Sequence, residues 1–571
     1  MTELSENAQK IAEARYFMEG ENWEKLCNRV GNAIAVNEND KDKWAEVFAN
    51  EIFDMNFIPG GRILRNAGRL KGELANCFVI PIGDSIEEIG DYIKNSLICW
   101  SGGGGVGCNF SPLRPKGFPI RGKGGESTGL VSFLKASDSV ASTIQSGGSR
   151  RAAGLVCVSV EHPEVENFIN AKLVDKIISH YNISVAITNE FLEAVEEDEL
   201  WTFKFLAQET HSKPARKLWN LILSNMIKCG EPGLLNFTNL TKNNGYYFAP
   251  PISSNPCGEA ILAPWESCIL GSLVLPNFLS GTQTNWKKLE NSIEIIVRFL
   301  DNVIDVNNFS VQKIELNSKK GRKIGVGVIG FADFLFKKGI RYGSEKSIAE
   351  AERLARFIRD KVYESSIRLS REKGPFPAFD SHAYGKASFV RKLPATLRRD
   401  IKRYGTRNVT VQAIAPTGTI SLLVTPEVCP SIEPLFSKAY IRRDRVSERI
   451  YIHPLVRECI EQNKKLPDWL VDTSDLSPKD HLEIQTAFQK FTDGGVSKTI
   501  NFPKGTTKIQ LSDWLLEYAY DLKGVTVYVD GSREGQVLQK LSLSEAKKLL
   551  SKSTSSLSED DVSCARGSCE I

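Results

Sequence analysis

Short stretches built like strands alternate with longer stretches built like helices along most of this chain, and that order constrains the fold more than any other feature. Leu155–Val160 and Ile183–Ile187 read as strands, and two further runs (Ile324, Val326, Val328; Val409, Val411, Ala413) place apolar residues at every second position. Glu190–Val195, the stripe Ile293, Ile296, Val297, Leu300 and Ile304, and Phe331–Phe336 carry helical spacing. Parallel strands need a crossover between them, and a helix is the usual one. The order therefore predicts an α/β fold with parallel pairing.

The two ends differ from this middle. Up to residue 58 the spacing is helical, as in Trp44, Val47, Phe48, Ile52 and Phe53, and Pro59-Gly60-Gly61 closes that region. This predicts a helical N-terminal region (1–58), an α/β body (59–535) and a flexible polar tail (536–571), with 551–561 disordered. Leu74–Pro81 reads as a short buried strand.

With 41% hydrophobic and 25% charged residues the chain has the make-up of a soluble globular protein, and its net charge of +4 over 571 residues gives no nucleic-acid footprint. No apolar run is long enough to cross a membrane, and Met1–Lys10 lacks the apolar core of a signal peptide. A cytoplasmic protein with reduced thiols is expected. Its twelve cysteines include no CxxC, so neither a zinc site nor a disulfide framework is predicted, and a cysteine pair that matters is expected to be catalytic.

Several segments carry chemistry. Asn255-Pro256-Cys257-Gly258-Glu259 sets an amide, a thiol and a carboxylate two residues apart, which in an extended segment puts all three on one side. Residues 101–108 (SGGGGVGC) contain GxGxxG, but Asn109–Pro115 behind it is poor helix material, which argues against a dinucleotide site and for close backbone approach to a ligand. In Pro416-Thr417-Gly418-Thr419, leading into Ile420 and Ser421, a strand passes through a glycine and hydroxyl loop into an expected helix. Such an arrangement suits phosphate, although without a lysine it is not a P-loop. Asp380–Gly385 fits DxHxxG, a cobalt-ligating histidine motif, but the proline-rich Lys373–Phe379 before it reads as a loop and His382 as an exposed loop residue. Cys564 and Cys569, on the polar tail, suit a thiol shuttle.

Together these segments resemble the catalytic subunit of ribonucleotide reductase. Asn255–Glu259 resembles its radical-site motif, Asn76-Cys77-Phe78-Val79 the strand with the first redox cysteine, and 102–117 (GGGGVGCNFSPLRPKG) the glycine-rich segment beside substrate. Ser127–Phe133, Arg298–Asp305, Arg322–Gly327 and Ala415–Ser421 match further blocks, in the family's order, from roughly residue 10 to 538. The resemblance implies a ten-stranded α/β barrel whose central finger loop carries the radical cysteine.

It also implies roles. Cys257 becomes a thiyl radical and takes the ribose 3′ hydrogen, Glu259 acts as base on the 3′-OH, and Asn255 orients the ribose hydroxyls. Cys77 protonates the departing 2′-OH and, with Cys268, supplies two electrons; Cys564 and Cys569 reduce that pair and are reset by a thioredoxin-like partner. Asn76, Gly103, Gly104 and Pro416, Thr417, Gly418, Thr419, Ile420 and Ser421 would contact substrate, a ribonucleoside di- or triphosphate. Many relatives carry Ser or Thr where this chain has Gly60-Gly61-Arg62. That departure leaves open whether Arg62 replaces a lost hydroxyl contact, and with it the choice of di- or triphosphate.

Lys523–Arg533 is similar to the ending of the adenosylcobalamin-dependent class, which implies that cofactor as radical source. The alternative is a class needing a separate metal radical subunit, but its adjacent tyrosines are not found: Tyr518 and Tyr520 are split by Ala519. The regions at 122–129 and 170–180 correspond to those that bind a deoxynucleotide or ATP effector in the family. No room precedes residue 10 for an N-terminal ATP-binding module, and the family includes monomers and homodimers.

Overall fold

A computed structural model describes residues 3–70, 72–120, 122, 124–146, 150–174, 178–443, 448–532 and 538–553. The chain opens with α1 (Glu6–Arg15), α2 (Trp23–Ile34) and α3 (Lys41–Phe53), each started by a side-chain cap: Ser5, Asn22 and Asp40 accept a backbone N–H of the first turn. α2 buries Leu26, Val30 and Ile34 along one stripe and packs on α3. Gly31 permits their closeness, since a Cβ there would lie 2.4 Å from the Ala45 carbonyl oxygen. The helical spacing does not extend to residue 58: β1 (Phe57–Pro59) is a strand, because an open sheet edge in the body offers it a partner, and α4 (Gly61–Asn66) follows at once.

The body contains β2 (Cys77–Val79), β3 (Gly105–Asn109), β4 (Gly154–Ser159), β5 (Tyr181–Ile187), β6 (Gly233–Asn236), β7 (Ser253–Ser254), β8 (Ile261–Leu262), β9 (Glu266–Cys268), β10 (Leu270–Val274), β11 (Gly325–Ile329), β12 (Thr499–Phe502) and β13 (Gly524–Val529). An eight-stranded mixed sheet runs in the order β9–β2–β3–β4–β5–β6–β13–β12, and a three-stranded sheet in the order β1–β10–β11. From β2 to β6 all neighbours are parallel. Their buried valine, isoleucine and leucine side chains fit strands covered on both faces. Helix α5 (Trp286–Val306) lays Ile296 and Leu300 over Gly271 of β10, where a Cβ would lie 3.1 Å from Ile296 Cδ1. A buried brace fixes that helix: Arg322 donates to Asp301 at 2.9 Å and Asp305 at 2.7 Å, and Arg407 to Asp301 at 3.0 Å.

The architecture is therefore α/β, as expected. Among the described residues, though, the named strands form open sheets and not one closed ten-stranded sheet. The run Val409, Val411, Ala413 makes no continuous ladder. The Asp493 carboxylate accepts the N–H groups of Val411 and Gln412, each at 2.9 Å, and so removes two donors a ladder would use. Isolated parallel bridges, Val326↔Gln412 and Ile414↔Val496, are what remain. The expected helix after the Pro416 loop is a single 3-10 turn, Ile420–Leu423, since Pro426 follows closely and cuts it short. His382 is exposed, as expected, but lies on a short helix, Ser381–Lys386, capped by Asp380. No helix among the described residues is long and apolar enough to cross a membrane.

Candidate active site

β7 and β8 pair antiparallel, Ser254 opposite Ile261, so that residues 255–260 form the tip of a hairpin. The tip is a turn, not an extended run. Gly258 N–H bonds the Asn255 carbonyl at 3.0 Å, Asn255 Oδ1 accepts Ala260 N–H at 3.0 Å, and Gly258 has a φ of +86°, which favours glycine. Glycines let the hairpin thread the body: a Cβ on Gly107 would lie 1.9 Å from the Ser254 carbonyl, and one on Gly495 2.4 Å from that of Gly258. Lys323 Nζ donates to the Ile261 carbonyl from the β11 side.

The turn changes the expected geometry. Asn255 and Glu259 are buried while Cys257 is exposed at the tip, so the three do not face one space. Asn255 Nδ2 donates to Glu259 Oε1 at 2.8 Å and meets Cys77 Sγ at 3.5 Å. Asn255 is thus a bracket between the Glu259 carboxylate and the Cys77 sulfur, and does not line the cavity described next. Glu259 Oε2 has no hydrogen-bond partner, and burial pushes the carboxyl up to about 7.

Cys77 and Cys268 are register partners across β2 and β9. The two thiols interact, which lowers the Cys77 pKa, while that interaction and burial push Cys268 up. Neither is in a disulfide.

A cavity of about 290 Å³ gathers most of the predicted residues. Asn76, Cys77, Gly103 and Gly104 line one side, Cys257 and Glu259 another, and Pro416, Thr417, Gly418, Thr419 and Ile420 a third. Cys268 and Ser421 do not line it, and Cys268 lies behind Cys77. Thr417 has a φ of +53° and its Oγ1 accepts Ser431 N–H at 2.8 Å, so this hydroxyl shapes the loop. Asn76 Oδ1 accepts the Arg62 N–H at 3.3 Å and orients the start of α4. Cys564 and Cys569 lie outside the described residues.

Family comparison matches residues 75–529 to the ribonucleotide reductase barrel domain and residues 2–72 to the ribonucleotide reductase all-alpha domain. The chain belongs to the ribonucleotide reductase family. Over its whole length it is 33% identical to a vitamin B12-dependent ribonucleoside-diphosphate reductase of Mycobacterium tuberculosis (strain ATCC 25618 / H37Rv), covering 83% of that protein. A protein of the same description from Thermoplasma acidophilum is 34% identical over 86% of this chain and 66% of its own length. The ribonucleoside-diphosphate reductase subunit alpha of Chlamydia trachomatis is 26% identical over 78% of this chain and 48% of its own length.

This reductase also contains features that no motif announces. Tyr16, at the end of α1, and Ser272 of β10 line the large cavity. They come from segments far apart in sequence, and only folding brings them to it. Glu73 sits close by with its carboxyl pushed up to about 7 by burial. A second cavity of about 140 Å³ has Asn182, Ser184, Glu231, Lys498 and Thr526 in its walls, and shares Pro256 and Cys257 with the first. Asp333, Cys429 and His453 form the only metal-like cluster among the described residues. They are already bonded to one another: Asp333 accepts Cys429 N–H at 2.7 Å and pairs with His453 Nε2 at 3.0 Å. The cluster reads as a latch behind Ser431 and the Thr417 loop.

Proposed function

We propose that this reductase converts ribonucleotides to 2′-deoxyribonucleotides by a radical at Cys257, with adenosylcobalamin as cofactor. The observation that carries this reading is the position of Cys257 in the walls of two cavities at once. A hydrogen atom can be lost from its sulfur toward one side and taken from a substrate on the other. No other arrangement of a cysteine explains both faces as simply.

The second cavity suits a nucleoside and is far too small for a corrin. Hydroxyls of Ser184 and Thr526 would hold an adenosyl group there. Adenosylcobalamin, when bound, supplies a carbon radical by homolysis of its cobalt–carbon bond. The B12-dependent names of the two relatives that share a third of this sequence support that cofactor.

On the large-cavity side each residue has a task that its surroundings favour. Cys257 removes the 3′ hydrogen atom and later returns one. Glu259 takes the 3′-OH proton, which its raised pKa and unpaired Oε2 allow. Cys77, the thiol of lower pKa, gives its proton to the departing 2′-OH, which leaves as water. Cys77 and Cys268 together lose two electrons and form a disulfide; the C2′ centre gains the electrons and the Cys268 proton, and Glu259 returns its proton to the 3′ oxygen. Cys564 and Cys569 reduce that disulfide by exchange and are reset by a thioredoxin-like dithiol.

We also propose that the pairing closes. β9 passes into β10 through Ile269 alone, β10 pairs with β11, and the bridges at Gln412 and Ile414 lead on to Val496, just before β12. Followed around, this gives a barrel of ten strands with the 255–260 hairpin inside.

The test mixes the purified chain with adenosylcobalamin, the four ribonucleotides as di- and triphosphates, and dithiothreitol. Deoxynucleotide formed without a second protein supports the reading. No product with cobalamin, but product on adding a metal-containing radical subunit, overturns it.

A further inference from the structure

We propose that Arg62 is the cation that binds the substrate's phosphates in the large cavity, an inference that rests on the ribonucleotide-reduction reading. Charge decides it. Among the described residues lining that cavity, Arg62 is the only cationic side chain, and Glu259 is the only carboxyl. The Pro416–Ile420 loop offers peptide N–H groups and hydroxyls but no counter-charge. The turn it leads into is four residues long, too short for a useful dipole. A polyphosphate in this low-dielectric space needs a partner of opposite sign, and the loop alone does not supply one.

The fold holds Arg62 for such a task. It is the second residue of α4, is 8% exposed, and its guanidinium donates to the Gly103 carbonyl. A Cβ on Gly103 would lie 1.8 Å from Arg62 Nη2, so the side chain occupies the space that this glycine leaves. A guanidinium has five donors on different edges, so an anchor on Gly103 and a phosphate can be served together. Gly61, its neighbour, faces Tyr16: a Cβ there would lie 3.3 Å from the phenol oxygen. Tyr16 ends α1, and α1 packs on the Ile420–Leu423 turn. The helical N-terminal region thereby joins Arg62 to the loop side of the cavity. Glu73, buried nearby and bonded by the Ser310 hydroxyl at 2.9 Å, is a carboxyl close enough to interact with Arg62.

Calorimetric titration of the full chain carrying Cys257→Ser, with CDP, CMP and cytidine, tests this without turnover. Arg62→Gln is expected to weaken CDP by about 10- to 100-fold, the effect of a charged hydrogen-bonded contact, and to leave cytidine unchanged. Arg62→Lys, which keeps charge but loses the fork, falls between. Unchanged CDP affinity in Arg62→Gln overturns the proposal. So does an equal loss of CDP and cytidine, which marks a structural role; if Arg62→Gln fails to fold, the same two comparisons in Arg62→Lys decide. The titration is independent of the cofactor: a wild-type chain that forms no deoxynucleotide sinks the function reading, whereas an active chain with CDP affinity insensitive to Arg62 sinks only this one.

Discussion

Cys268 lies directly opposite Cys77 across an antiparallel strand pair, and both thiols are free. Directly opposed residues in such a pair have Cα atoms roughly 4.5–5.5 Å apart, within the span a disulfide needs, so the bond can close with little backbone movement. A chain lacking the tail dithiol (Cys564→Ser, Cys569→Ser) is expected to make about one product per chain without reductant. Thiol titration should then find two fewer thiols, and peptide mapping a 77–268 link. A product with neither change contradicts the assignment of the electron donors.

Glu259 links activity and stability in opposite senses. Its carboxyl is raised from 4.5 to about 7 by burial. Between those values the folded chain keeps a proton that the unfolded chain releases, so stability falls as pH rises through this window. Above about pH 7 the loss levels off at about 3 kcal/mol. Glu259→Gln is therefore expected to melt higher than wild type at pH 8, with no gain at pH 4.5, while abolishing turnover. For the wild type, kcat/KM should rise as pH passes through about 7, as a general base requires.

Asn255 holds Glu259 and Cys77 without lining the cavity. Asn255→Ala should lower kcat by roughly 100-fold with little change in KM, because it displaces reacting groups more than it removes substrate contacts. A large rise in KM at constant kcat would show a direct substrate contact instead.

Sequence reading reached the residues that line the cavity more fully than their geometry. Cys77, Cys257, Glu259 and the Pro416–Ile420 loop announce themselves through residue type and order, and the cavity unites them. The turn at Gly258 does not: periodicity of two assumes an extended backbone, and a glycine at positive φ reverses it, which buries Asn255 away from the cavity. The run at 409–413 alternates like a strand, yet Asp493 takes its N–H groups, a tertiary event no local pattern encodes. Phe57 and Ile58 read as helix by spacing but were claimed by the edge of β10. Tyr16 and the second cavity depend on contacts between distant segments and had no local signal.

The Asp333–Cys429–His453 latch separates hydrogen bonding from metal binding. Treatment with EDTA is expected to leave activity and melting temperature unchanged. His453→Ala should destabilise the chain by about 1–3 kcal/mol in urea unfolding, since it strands a buried carboxylate oxygen. Loss of activity on chelation, restored by a divalent cation, would mean that the cluster holds a metal.

The most direct test of the whole account is electron paramagnetic resonance on protein frozen during turnover with adenosylcobalamin and a ribonucleotide. The account predicts a cobalt(II) signal exchange-coupled to a thiyl radical in the wild type, and none in Cys257→Ser. Turnover without that signal, or the same signal in Cys257→Ser, would contradict it.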